Sequence, residues 1–470
     1  MLNKLKQENI FNYFCQISDI ARPSKNMSGI AQFCTDFAKK QGLEYYKDEF
    51  NNVIIKKNAY KGYEDKPTII LQGHLDMVCE KDKGVSIDFN KNGITLDVKD
   101  DFLFAKGTSL GADNGIAIAY ILSILADKSL KHPKIEALFT TDEEIGMCGA
   151  IGLDAKHLNG KILINIDMEE EGVLTVGCAG GARADVTIPV NFITKDGNFF
   201  EIKVDGLIGG HSGVEIDKGR LNANILLGKI INSLKTYGVN IASINGGSKD
   251  NAITRSASAI VCSNFNLQEL DGLINKEFKT KAEPGLNITI NSLDKSQKVL
   301  DDISTNNVIN FLVTTKNGVI EYSNDIKGLV ETSLNLGILK TNNKNVSFSF
   351  AVRSSKEAKL QELLKTLKAI AKDNGGTINT HSFYPAWEYN KESKIREIFK
   401  TEYFKMYNEY PQITVIHAGL ECGILTQKIS NLDAISFGPT MYSVHTTQEK
   451  LSISSARRTY KYLLSVLENL

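Results

Sequence analysis

The chain reads as an α/β protein in which a first domain is interrupted by an inserted α+β domain and then resumed. Three observations predict this. Three apolar runs of strand length, Thr68 to Leu71, Lys134 to Thr141 and Lys161 to Asp167, each lead into polar or acidic residues. Around them lie stretches with apolar positions at helical spacing. From about residue 181 to 385 the pattern changes to alternating strands and amphipathic helices, and near Trp387 the pattern of the first domain returns. The boundaries expected are therefore 1–180, 181–385 and 386–470.

Taken in order, residues 9–20 and 28–41 have helical spacing, with Gly42 as a stop and Ala21-Arg-Pro-Ser-Lys as the loop between them. Asn52 to Lys56 is a strand. In Pro67-Thr-Ile-Ile-Leu-Gln-Gly-His74-Leu-Asp76, the run Thr68 to Leu71 is β-branched and apolar on both faces, which suits a strand buried in a parallel sheet. Ligands of open α/β sheets sit beyond the carboxyl ends of the strands, so His74 and Asp76 are delivered to where a site belongs. By period-2 alternation their side chains point the same way. Lys106-Gly-Thr-Ser-Leu-Gly-Ala-Asp113-Asn-Gly115 then feeds an apolar helix, Ile116 to Ala126. Its glycines match neither nucleotide-binding fingerprint; they let an acid at the start of a helix approach a crowded centre.

The strand Lys134 to Thr141 runs into Asp142-Glu143-Glu144-Ile-Gly146, and Lys161 to Asp167 is a third apolar strand with an acid at its end. In the inserted segment, strands at Phe199 to Val204, Val239 to Ser243 and Ala257 to Cys262 accompany a helix at Asn222 to Tyr237. A similar order follows: Leu329 to Leu339, Val346 to Val352, a helix at Lys356 to Asp373 and a strand at Thr377 to Ser382. Two such sets suggest two related halves. After Trp387 come a helix, Ser393 to Asn408, and strands at Gln412 to His417 and Ala434 to Gly438. The second strand leads into Pro439-Thr-Met-Tyr-Ser-Val-His445-Thr-Thr, and a last helix runs from Ser454 to about Leu467.

With 470 residues the chain exceeds a single compact core. Lysine plus arginine equals aspartate plus glutamate at 55 each, so no net field draws nucleic acid or an anionic membrane. No run approaches the roughly 20 apolar residues that span a bilayer, and no secretion signal is evident; a soluble, unexported, cytoplasmic protein is expected. Seven cysteines without C-x-x-C spacing argue against both a disulfide framework and a thiolate zinc knuckle.

Three strands that bring His/Asp, Glu/Glu and Asp to one edge of a sheet form a constellation. Any one of these acids alone is ordinary loop polarity. Together they demand another explanation, because buried strands rarely finish in carboxylates unless the charges are paired or bound to a cation. Imidazoles and carboxylates without thiolates suit zinc, manganese or cobalt, and two such ions can share one bridging carboxylate. A carboxylate that is not a ligand is then needed to take a proton from the attacking water and return it to the leaving amine. The pair Glu143-Glu144 offers one residue for each task.

The motifs Gly-His74-Leu-Asp76, Gly-Ala-Asp113-Asn-Gly, Thr-Asp-Glu143-Glu144-Ile-Gly, Ile-Asp167-Met-Glu, Gly-Gly-His211-Ser-Gly and Pro-Thr-Met-Tyr-Ser-Val-His445 resemble the aminoacylase/carboxypeptidase clan of co-catalytic metallopeptidases. Within it they are most similar to the aminoacyl-histidine dipeptidase (Xaa-His dipeptidase, peptidase D) group. The resemblance spans essentially the whole chain. It implies an α/β, mixed-sheet metallopeptidase catalytic domain, discontinuous in sequence, with an inserted α+β lid domain that closes over substrate and mediates a homodimer. It further implies two divalent ions, zinc first with cobalt or manganese as alternatives. His74 and Asp167 would hold one ion, Glu144 and His445 the other, and Asp113 would bridge them. Asp76 would orient His74, and Glu143 would be the general base acting on a bridging water. His211 would stabilise the oxyanion, from the same or the partner subunit. Asn251 in Asp-Asn-Ala-Ile and Arg353 in Phe-Ala-Val-Arg-Ser-Ser match the substrate-contact segments; a guanidinium suits a substrate carboxylate, which it binds bidentately. Glu421, in His417-Ala-Gly-Leu-Glu421-Cys-Gly, would receive a free amino terminus.

His132, His157, His381 and His417 match no ligand motif and read as polar surface or loop residues, and Trp387 as packing. The expected activity is hydrolysis of unblocked dipeptides, Xaa-His types among them, with small peptides rather than nucleic acid or membrane as partners. An N-acyl amino acid hydrolase, aminotripeptidase or carboxypeptidase would use the same dinuclear site. A binding protein on a retired peptidase fold would lack a ligand or the base, and none is missing.

Overall fold

The computed structural model of the chain describes residues 1–294, 296–326 and 328–470. Two compact units make up the chain. One comprises Met1–Gly177, Tyr389–Val415 and Leu420–Leu470; the other comprises Cys178–Glu388 with Ile416–Gly419. Among the described residues, no helix is long and apolar enough to cross a membrane.

The first unit is built on an eight-stranded mixed sheet in the order Glu44–Lys47, Val53–Lys57, Ile135–Thr140, Ile69–His74, Ile162–Asn165, Asp433–Ser436, Val173–Cys178, Gln412–Ile416. The four middle strands run parallel, and antiparallel strands flank them. Every residue of Ile69–His74 is buried, as a two-sided apolar run requires, and burying each large aliphatic side chain contributes about 1.5–3 kcal/mol. The helix Ala112–Ala126 is buried throughout Asn114 to Leu125; it is apolar on all sides because it is an internal helix. It packs on both Asn9–Ser18 and the Ile69–His74 strand. Gly73 makes that approach possible, since a Cβ there would collide with Asn114 Oδ1 and lie 2.7 Å from Ala117 Cβ.

One feature escapes the sequence pattern. The segment around Asp100-Asp101, which reads as a polar excursion, is the turn of a hairpin, Leu96–Lys99 with Phe102–Ala105. That hairpin extends into a four-stranded sheet with Lys450–Ser452 and Met441–Tyr442. Asp101 holds the start of the last helix, Ile453–Asn469, by accepting from Ser454 N at 2.9 Å and from the Ser452 and Ser454 hydroxyls at 2.7 Å.

The second unit is an antiparallel sheet in the order Asn287–Leu293, Asn198–Asp205, Ala257–Ser263, Asn240–Gly246, Val330–Thr341, Asn345–Ser354, Gly180–Pro189, Thr377–Tyr384, with Gly318–Tyr322 added beside Val330–Thr341. Alternate residues such as Ile202, Val204, Phe348, Phe350 and Val352 pack with Leu227, Ile231, Phe311 and Leu364 in one core, so the helices Ala223–Ser233, Asp302–Thr314 and Glu357–Asp373 cover one face. The two strand-helix sets expected as related halves of one inserted domain share a single sheet, where Gly246 stands opposite Leu339.

Two of the four histidines read as surface or loop residues lie in loops but are buried. His132 is 2% exposed, with Nδ1 2.7 Å from Pro133 O, and His417 is 6% exposed, with Nε2 2.7 Å from Ser333 Oγ. The other two lie outside the core: His157 stacks on Tyr46, and His381 pairs with Asp185 at 3.0 Å.

Candidate metal centre

In the first unit, parallel strands place their carboxyl ends along one edge, and each strand or the turn after it supplies a candidate group. His74 is the last residue of Ile69–His74, Glu143 and Glu144 follow Ile135–Thr140, Asp167 follows Ile162–Asn165, and the segment after Asp433–Ser436 leads to His445. Asp113 comes from the first turn of Ala112–Ala126, where Asp113 and Asn114 depart from helical φ/ψ. Asn114 fixes this turn: its Oδ1 accepts from His74 N at 3.1 Å and its Nδ2 donates to Ile166 O at 2.6 Å, tying three segments that carry candidate ligands together.

The side chains converge. His74 Nε2 lies 3.0 Å from Asp113 Oδ1 and 3.5 Å from Asp167 Oδ1. His445 Nε2 lies 3.0 Å from Asp113 Oδ2 and 2.9 Å from Glu144 Oε1. Asp113 thus offers one oxygen to each histidine. Donor atoms of His74, Asp113 and Asp167 fall within 4.8 Å of one another, as do those of Asp113, Glu144 and His445 and those of His74, Glu143 and Glu144.

Asp76 stands behind this cluster. His74 Nδ1 is 3.2 Å from its carbonyl oxygen and 3.4 Å from its Oδ1, an arrangement that fixes the ring and leaves Nε2 for the cluster. The same carboxylate accepts from Glu143 N at 3.0 Å, Glu144 N at 3.2 Å and Ser24 Oγ at 2.8 Å. One buried acid therefore orients a histidine and the backbone of both glutamates. Burial opposes its charge, but these hydrogen bonds, that of His74 foremost, hold its carboxyl down at about 2.

The electrostatics ask for cations. Two carboxylates about 4 Å apart repel by about 4 kcal/mol at an effective dielectric of ~20. Burial, and then neighbouring acids, push Asp167 up to about 6 and Glu143 well above the usual carboxylate range, with His74 opposing both. For His74, burial favours the neutral ring, yet Asp167, Asp113 and Asp76 override it and raise its pKa. Hydrogen bonds to Asp113 and Glu144 push His445 up to about 11 against its desolvation. The donors, carboxylate and imidazole with no thiolate, are those of zinc, manganese or cobalt. The residues present fit a pair of such ions.

Glu421 is wholly buried at the start of Glu421–Lys428. Its Oε2 accepts from Gln72 Nε2 at 2.5 Å and Thr140 Oγ1 at 2.6 Å, and its Oε1 has no hydrogen-bond partner among the described residues. Burial, followed by Asp167 and Asp76, pushes its carboxyl up to about 7, with His74 and Thr140 opposing.

His211, Asn251 and Arg353 belong to the second unit. The Gly210–His211 strand pairs with Ala252–Ile253, and Ser212 N donates to Asn251 O at 2.9 Å. His211 Nδ1 accepts from Gly213 N at 3.2 Å and Val214 N at 3.3 Å. The ring hydrogen of the neutral imidazole is thereby placed on Nε2, and burial, then Arg353, favours that neutral form. Arg353 is 6% exposed; its Nη1 donates to Tyr384 Oη at 2.7 Å, and its Nε has no partner among the described residues. Burial and Arg353 also hold His417 down at about 3. A cleft of about 730 Å³ in the same unit is lined by Gly210, Ala252, Ile253, Lys203, Lys249 and Arg255, among others.

Three residues that hold these candidate segments receive no role from the sequence. Arg22 lies in a loop, and Asn114 stands in the Asp113 motif without a part assigned to it. Glu449 is the nearest acid after His445 in a hydroxyl-rich stretch, and that spacing is the only available hint.

The sequence pattern of peptidase family M20/M25/M40 matches residues 70–469. A cytosol non-specific dipeptidase from Escherichia coli (strain K12) is 34% identical over 479 aligned residues, covering 100% of this chain and 99% of its own. Among solved structures, an aminoacylhistidine dipeptidase from Vibrio alginolyticus superposes with a TM-score of 0.94 at 35% identity, covering 100% of this chain and 98% of that one. The aminopeptidase PepT from Bacillus cereus, at 17% identity and a TM-score of 0.56 over 99% of this chain and 98% of its own, shares the fold.

Proposed function

The chain belongs to peptidase family M20/M25/M40, and from that premise we propose that it is a metal-dependent dipeptidase of unblocked dipeptides, Xaa-His types among them. The observation that carries this reading is Asp113, whose two oxygens face His74 and His445 separately with Glu143 alongside. His74 and Asp167 would hold one divalent ion, Glu144 and His445 the other, and Asp113 both, with zinc the first choice and cobalt or manganese the alternatives. Such ions would supply charge neutralisation, polarisation of the scissile carbonyl and acidification of water.

The rest is the work of the chain's own groups. Glu143 takes a proton from the attacking water as the oxygen adds to the carbonyl carbon, and delivers it to the amine nitrogen as the C–N bond breaks. Its buried, acid-rich surroundings make it a stronger proton acceptor than an exposed glutamate. Asp76 keeps His74 and the Glu143-Glu144 backbone in place. His211 donates from Nε2 to the developing oxyanion. Arg353, together with Asn251, receives the substrate carboxylate. The second unit acts as the lid, and the protein works as a cytoplasmic homodimer. The cytosolic relative supports the compartment, and family resemblance alone supports the dimer.

Glu421 is assigned to the substrate's free ammonium, because its unpartnered buried oxygen lacks a donor that an ammonium would supply. Glu421→Ala is expected to raise KM for Ala-His by about tenfold or more, the equivalent of 1.5–3 kcal/mol for a hydrogen bond to a charged group. Steady-state kinetics on the variant checks this. Unchanged kcat and KM would remove the amino-group assignment and favour an N-acyl amino acid hydrolase.

A further inference from the structure

Two buried side chains of opposite charge, neither of them a candidate ligand, hold three ligand segments together. Arg22 is 2% exposed. Its Nη1 donates to Leu75 O and Asp76 O, both at 3.1 Å, and its Nη2 donates to Gly111 O. It therefore spans the turn after His74 and the loop before Asp113. Gly111, at φ +64°, and Gly115 leave the space it fills: a Cβ at Gly111 would collide with Nη2, and one at Gly115 would lie 2.8 Å from it.

Glu449 is 3% exposed. Its Oε2 accepts from Leu110 N at 2.8 Å and Gly111 N at 2.9 Å, and its Oε1 accepts from Ala112 N at 2.8 Å and Asp113 N at 3.4 Å. Four successive amides thus close around one carboxylate, an anion nest formed by the backbone of the bridging acid's own loop. Glu449 lies four residues after His445. Ser443 and His445 themselves occupy left-handed backbone, at φ +52° and +62°. That conformation is unfavourable for residues with a Cβ and persists only where the surroundings enforce it. By gripping the Asp113 loop, Glu449 anchors the strained turn that delivers His445.

We propose that Arg22 and Glu449 are positioning residues that make the His74–Asp76, Leu110–Asp113 and Ser443–His445 segments one rigid frame, and thereby set the affinity of the shared metal centre. The inference rests on reading His74, Asp113, Glu144, Asp167 and His445 as metal ligands. Arg22 and Glu449 touch neither substrate nor reacting atoms; they act through the backbone of residues that do. A glutamine at 449 keeps the shape but presents an NH₂ group to amides that need an acceptor, so half the nest is lost.

The test is equilibrium titration of apo protein with zinc against a chromophoric chelator, for wild type, Glu449→Gln and a matched control, Glu136→Gln. Glu136 is also a buried carboxylate accepting from backbone amides, those of Asn159 and Gly160 at 2.8 and 3.0 Å, but it bonds to none of the His74–Asp76, Leu110–Asp113 and Ser443–His445 segments. Glu449→Gln is expected to weaken zinc binding 10–100-fold, the range for loss of a group supporting a ligand, and to lower kcat at saturating zinc with KM unchanged. Glu136→Gln is expected to bind zinc as wild type does. Should Glu449→Gln fail to fold by circular dichroism, Arg22→Lys reads the same property: an ammonium keeps the charge but cannot span the three carbonyls, and zinc affinity falls about tenfold. Folded Glu449→Gln or Arg22→Lys with wild-type zinc affinity overturns the inference, as does an equal loss in Glu136→Gln. Wild-type protein that binds no zinc overturns the metal-centre reading on which it rests.

Discussion

Glu143→Ala is expected to lower kcat by about 10²–10⁴-fold while the protein keeps its full complement of metal. Position decides this. Asp113 and Glu144 lie beside His445, and Asp113 and Asp167 beside His74, so both histidine-centred groups are complete without Glu143. Glu143 nevertheless sits close enough to His74 and Glu144 for its oxygen to reach the same space, and Asp76 fixes its backbone. Removing it deletes a proton carrier and relieves crowding among carboxylates. Metal analysis beside turnover of Ala-His separates base from ligand. Metal loss in Glu143→Ala equal to that in Asp167→Ala would end the distinction.

Asp113→Ala is expected to be the most damaging ligand substitution. Loss of a supporting group behind a ligand costs about 10–100-fold in affinity or activity; loss of Asp113, a carboxylate that faces both histidines, should exceed that, and bound metal should fall from two equivalents to one or fewer. His445→Ala is expected to do less, since His445 faces only the group shared with Glu144 and is 45% exposed. Metal content of the purified variants decides the order. An Asp113→Ala protein that retains two equivalents would show that the acid does not bridge.

The cluster of candidate residues was legible because burial and polarity conflict so openly there. An apolar strand such as Ile69–His74, buried at every residue, has no reason to end in histidine and aspartate unless something compensates the charge. The same conflict marks Glu143-Glu144 and Asp167. Period and length located the strands and helices that carry them, and Gly73 is a glycine because Asn114 occupies the place of its side chain.

What holds the ligands was not legible, for a physical reason. Arg22 and Glu449 bond to backbone carbonyls and amides far away in sequence, and a main-chain partner leaves no residue type to recognise. The continuity of the second unit's sheet was hidden for a related reason: Gly246 meets Leu339 across 93 positions, and local periodicity carries no information on which distant strand a strand will join. That His132 and His417 are buried was hidden because each lies outside a strand or helix, where no periodicity marks a buried face, and tertiary packing covers both.

Cleavage of a free dipeptide by paired cations and Glu143 is tested most directly by turnover of Ala-His, Gly-Gly, Leu-Gly-Gly, N-acetyl-Leu and carnosine with apo protein and after addition of zinc, manganese or cobalt. The predicted result is no turnover by apo protein and cleavage of unblocked dipeptides, Ala-His among them, once metal is restored. Cleavage of N-acetyl-Leu alone, or silence with every metal, would contradict it.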